Sequence, residues 1–150
     1  MGKQEPNPYL KTKIMTARSH ELRQMLYDGA IKFCRNAKAA INNQDHEISY
    51  DHLMRAQKIV LELSTSLNHD FEPSLCQKLS ALYTYIYRLL VDANMHRQTE
   101  SIDEAIKLLN YQRETWKMLM EKLAEQENRG DTHSSQITGA QQTAISSFQQ

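Results

Sequence analysis

Glycine and proline are scarce, with four and three in 150 residues. That argues against a turn-rich β fold and for long uninterrupted helices. Cysteine is rarer still. Cys34 and Cys76 stand far apart and match no metal or redox spacing. With no signal peptide ahead of them, they are expected to be buried, reduced thiols of a cytoplasmic protein. Charge of one sign is missing too: Lys plus Arg and Asp plus Glu both number 18. This removes the charge-driven case for nucleic acid or an anionic membrane surface. No apolar run approaches the roughly 18 residues that span a bilayer, so no membrane insertion is expected.

Patterns for chemistry are missing as well. No glutamate or aspartate has a histidine three residues on, so the Glu-x-x-His signature of di-iron bundles is absent. His20, His46, His69, His96 and His133 fall at helix ends, in loops or in the tail. His52 lies in the first turn of a helix, six residues from His46, so no helical face pairs the two. All six read as solvated histidines. There is no Gly-rich phosphate loop, and nothing favours a Ser/His/Asp or Cys/His set. The chain reads as a non-enzyme with no cofactor and no metal.

What is present is helical periodicity. At 150 residues the chain makes one domain with a sizeable core. Residues 1–18 carry Pro6 and Pro8 and read as an arm of little regularity, with apolar Tyr9, Leu10, Ile14 and Met15. That arm is either a frayed terminus or a segment that docks over a groove beside the third helix. Ser19 is a good N-cap with Glu21 in the first turn. Leu22, Leu26, Gly29/Ala30, Phe33, Ala37 and Ile41 then recur at steps of three and four to about Asn43. Gly29 marks close helix packing or a partner's close approach.

A second helix begins near Ile48 or Ser49, with the seam Leu53, Ala56, Val60, Leu63 and Leu67. Pro73 suits the first turn of a third, which ends near Asn94. Ser101 and Glu104 form a capping box opening a fourth. Its seam is Ile102, Ala105/Ile106, Leu109, Gln112/Arg113, Trp116, Leu119 and Leu123. Residues 128–150 are polar and are expected to be disordered. The reading is all-α: an antiparallel four-helix bundle over residues 19–127, with a short N-terminal arm and a disordered C-terminal tail.

The third helix is unusual. Over residues 82–94 only Thr84, Arg88 and Asp92 form a polar strip. Its apolar arc covers roughly two thirds of the circumference, against the usual stripe of about 100°. Three neighbouring helices could cover it, or two neighbours and a partner. Its tyrosines read as core or groove wall, or as a box on which a ligand stacks.

Several blocks stand out together. They are Asn7-Pro8-Tyr9, Glu21-Leu22, Met25-Leu26-Tyr27-Asp28-Gly29-Ala30-Ile31-Lys32-Phe33 and Leu63-Ser64-Thr65-Ser66-Leu67. Leu79, Leu82-Tyr83-Thr84-Tyr85, Leu89-Leu90, Ala93-Asn94 and Thr115-Trp116-Lys117 complete the set. Together they resemble the flagellin-specific export chaperone family, FliS, over roughly residues 7–122, with departures at His20, where the family commonly has proline, and in the tail. The resemblance implies a cytoplasmic bundle that binds the disordered C-terminal segment of flagellin, prevents premature polymerisation and delivers it to the flagellar type III export apparatus. It implies flagellin-facing roles for Leu22, Leu26, Ile31, Leu82, Tyr85, Leu89 and Ala93, with Tyr9 and Ile14 on the arm. A component of the export apparatus would meet the loaded chaperone, and the free protein would be a monomer or weak homodimer. An obligate homodimer that buries the surplus face of the third helix is the competing reading.

Overall fold

The computed structural model describes the backbone of residues 7–69 and 72–148, and the side chains of residues 7–67 and 72–130. Four helices follow in order: α1 (Pro8–Asn42), α2 (His46–Thr65), α3 (Pro73–His96) and α4 (Glu100–Phe148). A single 3-10 turn, Ser66–His69, follows α2. No strand occurs among the described residues.

Helix α1 starts well before Ser19. The Asn7 side chain accepts from the Tyr9 N–H at 3.2 Å, and Pro8 takes the first helical position, where no N–H is required. Asn-Pro is thus an N-cap and N1 pair, and Ser19 lies inside a helix that the arm continues. The arm does not lie over α3: Tyr9 is 69% and Ile14 51% exposed.

The chain then reverses on Gln44, in the left-handed region at φ 59°. The Asp45 carboxylate caps α2 by accepting from the Ile48 N–H at 3.4 Å. At the end of α3 the left-handed residue is Arg97, not Asn94. Helix α4 opens at Glu100, with the Thr99 carbonyl accepting from the Asp103 N–H at 2.9 Å. The expected capping box on Ser101 and Glu104 does not form. Ser101 is already helical, and the Glu104 carboxylate accepts from the Tyr85 hydroxyl instead.

Cross-helix contacts fix the topology as an antiparallel bundle. Lys38 pairs with Asp103 at 2.6 Å and Asp28 with Arg113 at 3.2 Å, so a step back along α1 matches a step forward along α4. On the other side of α1, a Cβ at Gly29 would stand 3.3 Å from Ile59 of α2. The Phe33 and His52 rings lie 5.5 Å apart across the same boundary. Helix α3 meets α2 through Tyr83, Thr84 and Tyr87, and meets α4 through Tyr85 and Glu104.

The core is built from Tyr27, Ala30, Ile31, Cys34 and Ala37 of α1; Leu53, Ala56, Val60 and Leu63 of α2; Tyr83, Ile86, Leu90 and Ala93 of α3; and Ile102, Ala105 and Leu109 of α4. The α2 seam is the one its periodicity indicates. The α1 seam is rotated by one residue from the expected line. Leu22 is 52% exposed, and Leu26 and Phe33 are half-buried, while Arg23, Tyr27 and Cys34 point inward. The small core residues Ala30, Cys34 and Ala37 leave the larger aliphatic groups of α1 at the rim.

Residues from Thr115 onward form a second compact unit, the continuation of α4. Its backbone is helical to Phe148. Every residue from Glu121 to Gly130 is exposed. The side chains of residues 131–150 lie outside the described residues.

The rotation of α1 is open to test. Ile31→Ala is expected to cost about 2–5 kcal/mol of stability, and Leu22→Ala no more than about 0.5 kcal/mol. Urea unfolding of the two variants checks it. A larger loss at Leu22 than at Ile31 contradicts the observed seam.

Candidate partner-binding surface

The four helices meet along four seams, and each seam has its own chemistry. Asp28 and Lys38 face α4, and their ion pairs with Arg113 and Asp103 close the α1/α4 seam with charge. Exposed pairs of this kind stabilise little. They line this seam with charge, beside the half-buried Ile106.

The other three seams carry apolar rims. Along α1, Leu22, Leu26, Gly29 and Phe33 share one line at steps of four, three and four. Since Gly29 and Phe33 touch α2, Leu22 and Leu26 belong to the α1/α2 seam. Between α2 and α3, Val60, Leu61, Ser64, Tyr83, Thr84 and Tyr87 line a cavity of about 150 Å³. Leu61 stands half-exposed at its edge. On α3, Leu75, Leu82 and Leu89 recur at steps of seven, which keeps them nearly in line. Tyr85 beside them is 44% exposed and donates its hydroxyl to Glu104 Oε1 at 2.6 Å. That hydrogen bond to a carboxylate raises the Tyr85 pKa and keeps the phenol protonated.

The nine residues singled out from sequence therefore fall into four groups. Leu22 and Leu26 rim the α1/α2 seam, and Leu82, Tyr85 and Leu89 rim the α3/α4 seam across the bundle. Tyr9 and Ile14 occupy the exposed first turns of α1. Ile31 and Ala93, each 1% exposed, are core residues and present no surface. The width of the α3 arc signalled a rim. The same arc could not say that Ala93 faces inward with Ile86 and Leu90.

Beneath the α2/α3 cavity lies a polar cluster that apolar periodicity passed over. The buried Arg23 guanidinium donates to Ser66 Oγ and to the Tyr83 hydroxyl, each at 2.9 Å. The Tyr27 and Tyr83 hydroxyls bond each other. The guanidinium carbon also sits 5.5 Å and 5.8 Å from the Tyr27 and Tyr83 ring centroids, within cation–π range. Burial above all, with Tyr27 beside it, pushes the Tyr83 pKa far above the tyrosine range, while Arg23 pulls the other way. Tyr83 thus lines the cavity and ties α3 to α1 through its hydroxyl, while Arg23 carries the link on to Ser66 at the end of α2. Arg23 and Tyr27, at i and i+4, were the only sequence trace of this cluster.

Among the described residues no group of three His, Cys, Asp or Glu could hold a metal ion. No helix among them is long and apolar enough to cross a membrane. Cys34 is buried in the core, and burial raises its thiol from 9.0 to about 12. Cys76 is part-exposed, with its thiol directed to the Leu67 carbonyl at 3.1 Å.

The chain is thus an all-α bundle with three seams rimmed by apolar side chains. The comparisons narrow the class. The model of the family described as "Flagellar protein FliS" matches residues 1–123, and the chain belongs to that family. It is similar to the flagellar secretion chaperone FliS of Bacillus subtilis, with 38% identity over 86% of this chain and 94% of the relative. The proteins of the same name from Campylobacter jejuni and Salmonella typhimurium share 32% and 30% identity. These alignments cover 74% and 80% of this chain, and 87% and 90% of the relatives.

Two buried acids make alkaline pH the informative variable. Both Cys34 and Tyr83 have folded pKa values above their unfolded ones. Their stabilisation is complete below the unfolded pKa and is lost as pH rises towards the folded pKa. Denaturant unfolding should show stability steady through neutral pH, falling above about pH 9 as Cys34 and then Tyr83 begin to titrate in the unfolded chain. Cys34→Ala should remove the earlier part of that fall. At neutral pH, Tyr83→Phe should cost about 1–3 kcal/mol by leaving buried partners unpaired.

Proposed function

We propose that this chain is a cytoplasmic flagellar export chaperone that holds the C-terminal segment of flagellin, disordered when free, along the three apolar seams of the bundle. The segment wraps from the α1/α2 rim past the α2/α3 cavity to the α3/α4 rim, folding partly into helix as it binds. Held in this way it cannot polymerise prematurely, and the complex is passed to the flagellar type III export apparatus.

The observation that carries this reading is the distribution of apolar rims. The candidate residues lie on opposite seams, with Leu61 and the cavity between them. One globular docking surface would not reach both edges of the bundle. An extended segment can, laying amphipathic turns into successive grooves. Membership of the FliS family, whose relatives carry the name secretion chaperone, supports the same reading.

Magnitudes are consistent with a holding role. Leu22, Leu26, Leu61, Leu82 and Leu89 are each partly exposed. Completing the burial of each contributes about 1 kcal/mol. Ordering the client offsets part of that gain, so binding is firm without being irreversible. In this reading Ile31 and Ala93 act as the floor beneath the contacts, and Tyr9 and Ile14 stand ahead of the seams.

Calorimetry and circular dichroism with an isolated flagellin C-terminal segment test the proposal. One-to-one binding is expected, with a negative heat-capacity change and a rise in helix content. Leu22→Glu and Leu89→Glu should each weaken binding by about 2 kcal/mol or more, while Arg35→Glu, on the charged side of α1, leaves it unchanged. Binding without helix gain, or a stable homodimer that excludes the segment, overturns the reading.

A further inference from the structure

Residues 8–20 form the first turns of α1, and every side chain from Tyr9 to Ser19 is exposed. These turns carry a pattern unlike the rest of the helix. Leu10, Ile14 and Ala17 fall within an arc of about 60° at roughly 100° per residue. Lys11 and Arg18 stand along one edge of that stripe, and Lys13 and His20 along the other. Thr12 and Ser19 occupy the far side with the exposed Met15 beside them, and Tyr9 stands next to the Lys13 and His20 edge. Glu21 stands in line with Leu10, Ile14 and Ala17 and ends the stripe.

Charge is just as segregated. Residues 8–20 hold three of the chain's 18 Lys and Arg and none of its 18 Asp and Glu. Overall neutrality conceals a local cationic helix, and the rest of the chain carries a small excess of acid. The Leu22 and Leu26 line is turned about 130° from this stripe, so it is a separate face.

We propose that these turns of α1 dock on an anionic lipid surface. An apolar stripe edged on both sides by long cations suits a plane in which acyl chains lie between rows of phosphates. Leu10 and Ile14 enter the acyl boundary, and the Lys11, Lys13 and Arg18 stems extend sideways to keep their charges among the headgroups. A bilayer offers that chemistry everywhere along its surface. A protein would need two acidic ridges flanking an apolar groove at matching spacing. With one short stripe and three permanent cations the contact is reversible and sensitive to salt. It would bring the chaperone to the membrane that an exported client must cross. That consequence rests on the chaperone reading, whereas the lipid contact itself does not.

The test is sedimentation of the full chain with phosphatidylcholine vesicles, with and without a minority of phosphatidylglycerol, at low ionic strength. Binding to the anionic vesicles should exceed binding to the neutral ones by about tenfold or more. It should fall by a similar factor in Leu10→Glu/Ile14→Glu and in Lys11→Glu/Lys13→Glu/Arg18→Glu. All of these side chains are exposed, so both variants should keep the melting temperature of the parent. Flagellin-segment binding, measured in parallel, should survive the charge reversal, which separates failure of this proposal from failure of the client reading. No binding to anionic vesicles, equal binding to neutral ones, or persistence of binding in either variant overturns the proposal. So does a result in which the parent ignores vesicles but the variants lose capture by an acidic protein.

Discussion

Close approach of α1 to its neighbours governs much of this structure. Ala30, Cys34 and Ala37 line the inward face of α1, and α2 adds Ala56 opposite. At Gly29 even a methyl group would press on Ile59. Helices that pack through small residues draw together, and the bulky side chains beside the contact line cannot follow them inward. Leu22, Leu26 and Phe33 are left at the edge for that reason. On α3 a different cause acts: the bulky Tyr83, Ile86 and Leu90, with Ala93, fill the inward line, and Leu82 and Leu89 stay half-buried beside it. The apolar rims follow from this packing, and they are the surface on which the proposed client would lie.

A tight core of this kind is held in register by polar contacts. Arg23, Tyr27, Tyr83 and Ser66 join α1, α3 and the end of α2 by hydrogen bonds that need particular distances. Apolar packing alone tolerates sliding by a turn, whereas buried hydroxyls and a guanidinium without their partners would be costly. The Tyr83 ring forms part of the cavity wall between α2 and α3. The cluster therefore shapes a surface feature from below. On the remaining seam, Asp28–Arg113 and Lys38–Asp103 set the α1/α4 register with little demand on apolar area.

Much of the fold was legible because apolar periodicity is a strong signal where one face is aliphatic. Helix α2 and the turn after it show this: Leu53, Ala56, Val60 and Leu63, then Leu67, are all buried as their spacing indicates. Helix α1 shows how it fails. Leucine and phenylalanine outweigh arginine, tyrosine and cysteine in a count of apolar residues, so the expected seam settled on the rim. Helix starts were displaced where two capping residues compete, as Asn7 with Ser19 and Thr99 with Ser101. For the site, the breadth of the α3 arc pointed to Leu82, Tyr85 and Leu89 at a rim. Which seam each joins depends on inter-helix register, and no single helix encodes that. Ile31 and Ala93 illustrate the gap, since only packing reveals that they are covered on every side.

The central claim is that one extended client occupies three seams and avoids the fourth. Hydroxyl-radical footprinting of the protein, free and with a flagellin C-terminal segment bound, tests it most directly. Tyr and Leu side chains on all three apolar seams report separately: Leu22 and Leu26, then Leu61 and Tyr87, then Leu82, Tyr85 and Leu89. The account predicts protection at all three, with the outer face of the α1/α4 seam around Arg35 and Lys107 unchanged. Protection confined to one seam, or centred on the α1/α4 ion pairs, would contradict it.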